Sequence, residues 1–276
     1  MSTRFERDTA VTPVGDGAFD ARLDTAWWVQ RGPNGGYLAA IILRAFVEAV
    51  GDDERAPRSL TVHYAAPPVE GPVSVRTRIE RAGRSLTSVS ARMEQGDRLI
   101  AVAVAALSKP RPGPEFCDLD MPVVAPPESI PPRPPPAEAP PIAHRWDTRF
   151  AVGQHPFDGQ PGREALGGGW IRLEEPQMLD APAVAAVADA WIPPIFSRTH
   201  EPLVVPTIDL TVHFRTALPH PGIAADGFLL AVFRTGVAAD GFLEEDGEVW
   251  APDGTLVAQS RQLAAILPLS QSRASE

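Results

Sequence analysis

Residues able to do chemistry are thinly spread along this chain of 276 residues. A serine hydrolase would carry its nucleophile in a Gly-x-Ser-x-Gly elbow, and the sequence contains none. The single cysteine, Cys117, excludes an internal disulfide and cannot form a zinc site alone; its proline-rich surroundings mark an exposed bystander. Gly167-Gly168-Gly169 lacks the spacing and following lysine of a phosphate loop and is read as a flexible turn. Taken by residue type alone, Asp189 at the end of an Ala-rich segment is a solvated or capping group, Thr207 a β-branched strand opener and Gln262 an outward polar side chain. Asp209, two residues after Thr207, is expected on the same strand face and is a second, more structural, carboxylate.

The elements that must position these groups are announced by a repeat. Leu60-Thr61-Val62-His63-Tyr64 returns as Leu210-Thr211-Val212-His213-Phe214. Arg81-Ala82-Gly83 is matched by Arg234-Thr235-Gly236, and Leu99-Ile100-Ala101 by Leu256-Val257-Ala258. The offset drifts only from 150 to 153 to 157, so two copies of one fold differ by short loop insertions. His63 and His213 hold equivalent places, which favours a shared structural role over catalysis. Repeat alignment sets Gln262 opposite Ala105, and Thr207 opposite Pro57 or its neighbour, so a site using them exists once per chain.

Composition agrees with two modest globular units: 44% hydrophobic and 22% charged residues, with length for two domains of roughly 100 to 150 residues. A net charge of −10 argues against nucleic acid as a partner. The opening residues lack an apolar stretch of signal-peptide length and other apolar runs are too short to span a bilayer, so a cytoplasmic protein without a membrane span is expected. Prolines crowd the stretch from Lys109 to Ile142, including Pro134-Pro135-Pro136, and mark a semi-rigid linker. The expected division is 1–110, a linker 111–142, and 143–276. Each copy is read as strand, helix, then antiparallel meander. The first helix spans Tyr37 to Val50, with strands over Ser59–Ala65, Val73–Arg81, Ser85–Glu94 and Leu99–Leu107. The second runs from Pro182 to Ala190 behind the N-cap Asp180, with strands over Thr207–Thr216, Leu229–Gly236, Glu244–Trp250 and Leu256–Leu267. This is an α+β arrangement whose two sheets can pair edge to edge.

Four motifs in order on this frame carry a resemblance: Trp27-Trp28-Val29-Gln30-Arg31-Gly32-Pro33-Asn34-Gly35-Gly36-Tyr37 entering the first helix, Gly83-Arg84-Ser85, Val205-Pro206-Thr207-Ile208-Asp209, and Asp253-Gly254-Thr255-Leu256-Val257-Ala258 leading to Gln262. The chain outside the linker resembles the type II (TesB-like) acyl-CoA thioesterases. The resemblance implies a double hot-dog, two curved antiparallel sheets each wrapping a central helix. It implies hydrolysis of an acyl-CoA thioester to acid and CoA, with no cofactor or metal, and by position it makes Asp189, Thr207 and Gln262 the catalytic set. The chain departs from the family in a shorter connection between Asp189 and Thr207. Asn34, Gly35 and Gly36 either present N–H groups to the thioester or pantetheine, or simply allow close helix packing. Trp27, Trp28 and Trp191 are candidates to shape the acyl pocket, Trp191 foremost. Arg31, Arg44, Arg58, Arg81 and Arg84 are candidates for the phosphates of CoA. Family habit and open sheet edges imply a homo-oligomer. Two other readings stand beside hydrolysis: a non-catalytic acyl-CoA-binding protein, and a double hot-dog enoyl-CoA hydratase, whose His after the Asp is lacking until His200.

Overall fold

A computed structural model describes residues 2–30, 32–156 and 158–269. A short helix α1 (Arg4–Asp8) and hairpin β1 (Thr12–Gly15) and β2 (Ala18–Leu23) precede helix α2 (Gly35–Val50). Then follow β3 (Ala56–Tyr64), β4 (Gly71–Ala82), β5 (Leu86–Gln95) and β6 (Arg98–Ser108). The second half gives β7 (Trp146–Gly153), β8 (Ala165–Leu173), helix α3 (Ala181–Val187) and β9 (Leu203–Val204). It continues with β10 (Thr207–Phe214), β11 (Leu229–Thr235), β12 (Ala238–Ala239), β13 (Phe242–Trp250), β14 (Leu256–Ala265) and β15 (Leu267–Pro268).

Twelve strands form one antiparallel path, β1-β2-β4-β5-β6-β3-β10-β14-β13-β11-β8-β7, palindromic about the β3–β10 seam. The two halves therefore share a single sheet, joined at the repeated segments themselves. Thr61 faces Thr211 across the seam, their hydroxyls 3.0 Å apart, and Leu60 lies opposite Val212 as Val62 does opposite Leu210. A curved sheet cannot bury its concave side alone. Here α2 and α3 fill it, α2 contributing ten buried residues from Gly36 to Phe46 and α3 burying all seven of its own.

Register also defines the correspondence between halves. Leu60 pairs with Ala105 as Leu210 pairs with Gln262, and Ala105 pairs with Val89 as Gln262 pairs with Glu245. The same register sets Arg234 against Arg78 rather than Arg81, so the Arg-x-Gly match of the repeat is out of step with the sheet by three residues. Two further expectations are corrected. Gly167-Gly168-Gly169 is strand, inside β8, where a side chain on Gly168 would come within 2.3 Å of the Ala231 carbonyl oxygen on β11. The linker is more than a spacer: Met121, Val124 and Ile130 pack on Trp170, Leu230, Trp250 and Leu256, and the Trp170 indole N–H donates to the Ala125 carbonyl at 2.8 Å. It covers the face of the second-half sheet opposite the helices.

Candidate active site

The candidate residues meet where the two helices cross. Asn34 caps α2, its side-chain oxygen accepting the Tyr37 N–H, and its amide nitrogen remains free to reach across to the end of α3. There it donates to the Asp189 carbonyl at 2.7 Å and to Asp189 Oδ2 at 2.9 Å, while the Gly36 N–H donates to the same Oδ2 at 2.8 Å. A carboxylate from the second half is thus seated on the N-terminus of the first-half helix, where unpaired N–H groups and the helix dipole favour negative charge. The approach is close enough to require glycine: a Cβ on Gly36 would stand 2.9 Å from the Ala186 carbonyl oxygen and 3.0 Å from Asp189 Cβ. The Tyr64 hydroxyl donates to the Gly35 carbonyl at 2.7 Å and fixes the turn from the sheet side.

Burial raises the Asp189 carboxyl to about 6 against the pull of the Gly36 N–H, the Gln262 amide, Asn34 and the Gly35 N–H. At neutral pH it is mainly an anion, yet a basic one. Gln262, itself buried, continues the network: its Oε1 accepts from the Thr207 hydroxyl at 2.8 Å and its Nε2 donates to Glu245 Oε1 at 2.7 Å. Thr207, Gln262 and Glu245 thus form one hydrogen-bonded chain, and Asp189 with Asn34 and Gly36 another, with the Gln262 amide near enough to Asp189 to lower its carboxyl.

In that seat the Asn-Gly-Gly turn packs closely and holds Asp189. The N–H of Gly36 is engaged with Asp189, and a Cβ on either glycine would crowd Asp189, with Tyr64 beside Gly35 and the α3 backbone beside Gly36. Asp209 does not share a face with Thr207. A bulge between them sets Thr207 opposite buried Ala264 and Asp209 opposite exposed Leu263, on the other side of the sheet. Trp27 belongs to the core, 1% exposed, stacked on Tyr37 and hydrogen-bonded to Asp8, and the small hollow it borders with Phe5, Arg145 and Leu173 includes none of Asp189, Thr207 and Gln262. Trp191 is half-buried against Phe150, 5.8 Å between ring centres, above Gly167. Of the arginines, Arg44 is committed to Asp180 at 3.1 Å and Thr9 at 2.7 Å, Arg58 reaches the Ser108 carbonyl at 3.4 Å, Arg81 and Arg84 are exposed, and Arg31 lies outside the described residues.

Sequence reasoning missed Tyr64 and Glu245. The signal for Tyr64 was in the repeat, whose second copy has Phe214 in its place and so lacks the hydroxyl. Glu245 was signalled by an acidic residue at an inward position between Leu243 and Val249.

This arrangement is that of a double hot-dog protein, and comparison with known proteins agrees. The family model described as the acyl-CoA thioesterase N-terminal domain matches residues 24–108, and that described as the acyl-CoA thioesterase C-terminal domain matches residues 126–266. The chain belongs to the TesB-like acyl-CoA thioesterase family. Among solved structures it is similar to a hot-dog protein of unknown function from Alicyclobacillus acidocaldarius, at 28% identity and TM-score 0.87 over 96% of this chain and 98% of that one. A candidate thioesterase II from Thermobifida fusca YX is 26% identical, with TM-score 0.82 over 96% and 97% of the two chains. The acyl-CoA thioesterase II TesB2 of Mycobacterium marinum shares the fold at 21% identity, TM-score 0.77, over 96% and 99%. No curated protein matches the sequence. Among the described residues no helix is long and apolar enough to cross a membrane, and no cluster of His, Cys, Asp and Glu could hold a metal ion.

Proposed function

We propose that this chain hydrolyses acyl-CoA thioesters by direct attack of water, with Asp189 as general base and Thr207 and Gln262 as water-orienting partners. The observation that carries the reading is the Asp189 carboxylate, made basic by burial while held in place by the Gly36 N–H and the Asn34 amide. Asp189 takes a proton from water as the oxygen bonds to the thioester carbon. The tetrahedral intermediate collapses by breaking the C–S bond, and the CoA sulfur leaves with a proton returned through the carboxyl. The N–H of Gly36 is spent on the base, so the donors for the developing oxyanion lie elsewhere. With the base near 6, kcat/KM rises through that pH and levels above it. The same reading places the enzyme in the cytoplasm, in lipid metabolism, as a homo-oligomer that takes acyl-CoA and not nucleic acid.

The test is CoA release, followed as free thiol, from acyl-CoAs of increasing chain length, wild type beside Asp189→Ala. Loss of at least about a hundredfold in kcat is expected for removal of a general base. Absence of turnover on every acyl-CoA, with binding retained, would replace the reading with a non-catalytic acyl-CoA-binding protein.

A further inference from the structure

Glu245 has no role in the reaction just described, yet it is the residue that Gln262 leans on. It lies directly opposite Gln262 in the β13–β14 register, both side chains face the helices, and both are nearly inaccessible, at 5% and 6% exposure. Gln262 Nε2 donates to Glu245 Oε1 at 2.7 Å, while Glu245 Oε2 is buried without a hydrogen-bond partner. Folding does not demand such a pair. The equivalent positions of the first half, Val89 and Ala105, face each other in the same register and are apolar, and that half of the sheet closes as well. Burying two polar groups that an apolar pair can replace is unfavourable, and the second half carries that penalty only on the side where Asp189 and Thr207 stand.

We propose that Glu245 is a positioning residue of the thioesterase site, fixing the Gln262 amide so that its oxygen faces Thr207 and its N–H groups face the sheet and Asp189. The inference rests on the thioesterase reading above. An amide has two faces; with the Glu245 proton on the unpartnered Oε2, Oε1 is an acceptor that suits Nε2 and disfavours the flipped amide, whose oxygen would meet that acceptor while its NH2 group met Thr207. The charge state of Glu245 is part of the device. Burial, with Asp189, Glu244 and Asp246 nearby, raises its carboxyl to about 8 against the Gln262 bond, so it is neutral at pH 7. Of the strands flanking β13, β14 sets Arg261 and β11 sets Arg234 opposite exposed Asp246. Asp189 is the charged group that acts on Glu245 from outside its own strand. A neutral Glu245 leaves Asp189 as the one anion of the network. Ionisation near pH 8 adds a second negative charge beside the base, where it opposes the charge developing on the thioester oxygen.

The test is a pH profile of kcat and KM on the best acyl-CoA for wild type, Glu245→Gln and Glu245→Ala, each also in a Gln262→Ala background. Wild type is expected to fall off near pH 8. Glu245→Gln, which keeps the shape and cannot ionise, is expected to hold kcat within about threefold at pH 7 and to lose the alkaline limb. Glu245→Ala is expected to lower kcat about tenfold or more with KM little changed, and to add less than about twofold once Gln262 is gone. An alkaline limb persisting in Glu245→Gln, or a Glu245→Ala effect undiminished without Gln262, would overturn the positioning role and leave hydrolysis standing. A wild type inactive on every acyl-CoA would remove both. If Glu245→Ala fails to fold, the limb in Glu245→Gln still decides.

Discussion

Gly36→Ala tests the seat of Asp189 through a single methyl group. In an ordinary helix the change would be favourable, since alanine is better than glycine by about 0.5 to 1 kcal/mol in a helix interior. At the helix crossing the sign reverses. The new Cβ would lie 2.9 Å from the Ala186 carbonyl oxygen, 3.0 Å from Asp189 Cβ and 3.1 Å from the Ala185 carbonyl oxygen. Two of these atoms are backbone and the third is fixed to it, so no flexible end can swing aside and α2 must part from α3. Overpacking of this kind costs about 1 to 3 kcal/mol, which after the gain in propensity leaves a net loss of up to about 2.5 kcal/mol. The movement also draws Asp189 Oδ2 off the Gly36 N–H, a hydrogen bond of 2.8 Å. A displacement of about 1 Å at a reacting group costs about a hundredfold in rate, so kcat is expected to fall much further than stability. Gly35→Ala is the control. Its Cβ would meet Asp189 Oδ2 and the Tyr64 hydroxyl, both at 3.0 Å, which are side-chain ends able to move, so a milder loss of stability is expected, while kcat still falls because the oxygen that yields belongs to the base. Urea unfolding and thiol release on the three proteins decide the matter. A Gly36→Ala chain as stable and as active as wild type would refute both the rigidity of the crossing and the role of its N–H in holding Asp189.

Two other perturbations follow from the same network. Asn34→Ala removes an N-cap and two hydrogen bonds to Asp189, lowering stability by about 1 to 2 kcal/mol. Because the Asn34 amide holds the Asp189 carboxyl down, the acid limb of kcat/KM should move above about 6; a limb moving the other way would contradict the assignment. Stability itself should depend on pH. Asp189 and Glu245 are raised above their ordinary 3.8 and 4.5, so between those values and about 6 and 8 the folded chain keeps protons that the unfolded chain has lost, and stability falls as pH rises through the window. Glu245→Gln removes the larger contribution, and its advantage over wild type should grow by on the order of 3 to 5 kcal/mol between pH 4.5 and 8.5. Parallel urea curves at the two ends would show that Glu245 is not raised.

The repeat made most of the fold legible, because a segment such as Leu60–Tyr64 that returns as Leu210–Phe214 carries both its strand parity and its place in the sheet with it. The strand–helix–meander order, the edge-to-edge pairing of the two sheets and the placement of Gln262 opposite Ala105 followed from that pattern, while the choice of the repeated segments themselves as the seam did not. Thr207 and Asp209 show where pattern fails: alternation put them on one face, and a single extra residue in the ladder put them on two. Gly167-Gly168-Gly169 fails for another reason, since glycine marks turns and close approaches alike, and only the neighbouring β11 backbone distinguishes them. Glu245 and Tyr64 were hidden because their significance is relational, lying in what stands across from them.

The asymmetry of the two halves is the strongest argument that the polar network exists for chemistry. Duplication supplies a built-in control, the same sheet and register with different residues. Where the first half has Val89, Ala105 and Pro57, the second has Glu245, Gln262 and Thr207. The first half instead gives what its helix N-terminus can give, the Gly36 N–H and the Asn34 amide, to a carboxylate that comes from the other copy. Neither half holds the whole set. A network kept for stability would be expected in both copies, or replaced in both by the apolar pair that already works in one. Its confinement to the crossing of α2 and α3, around a carboxylate that is buried, held and still basic, is what a site for activating one water requires.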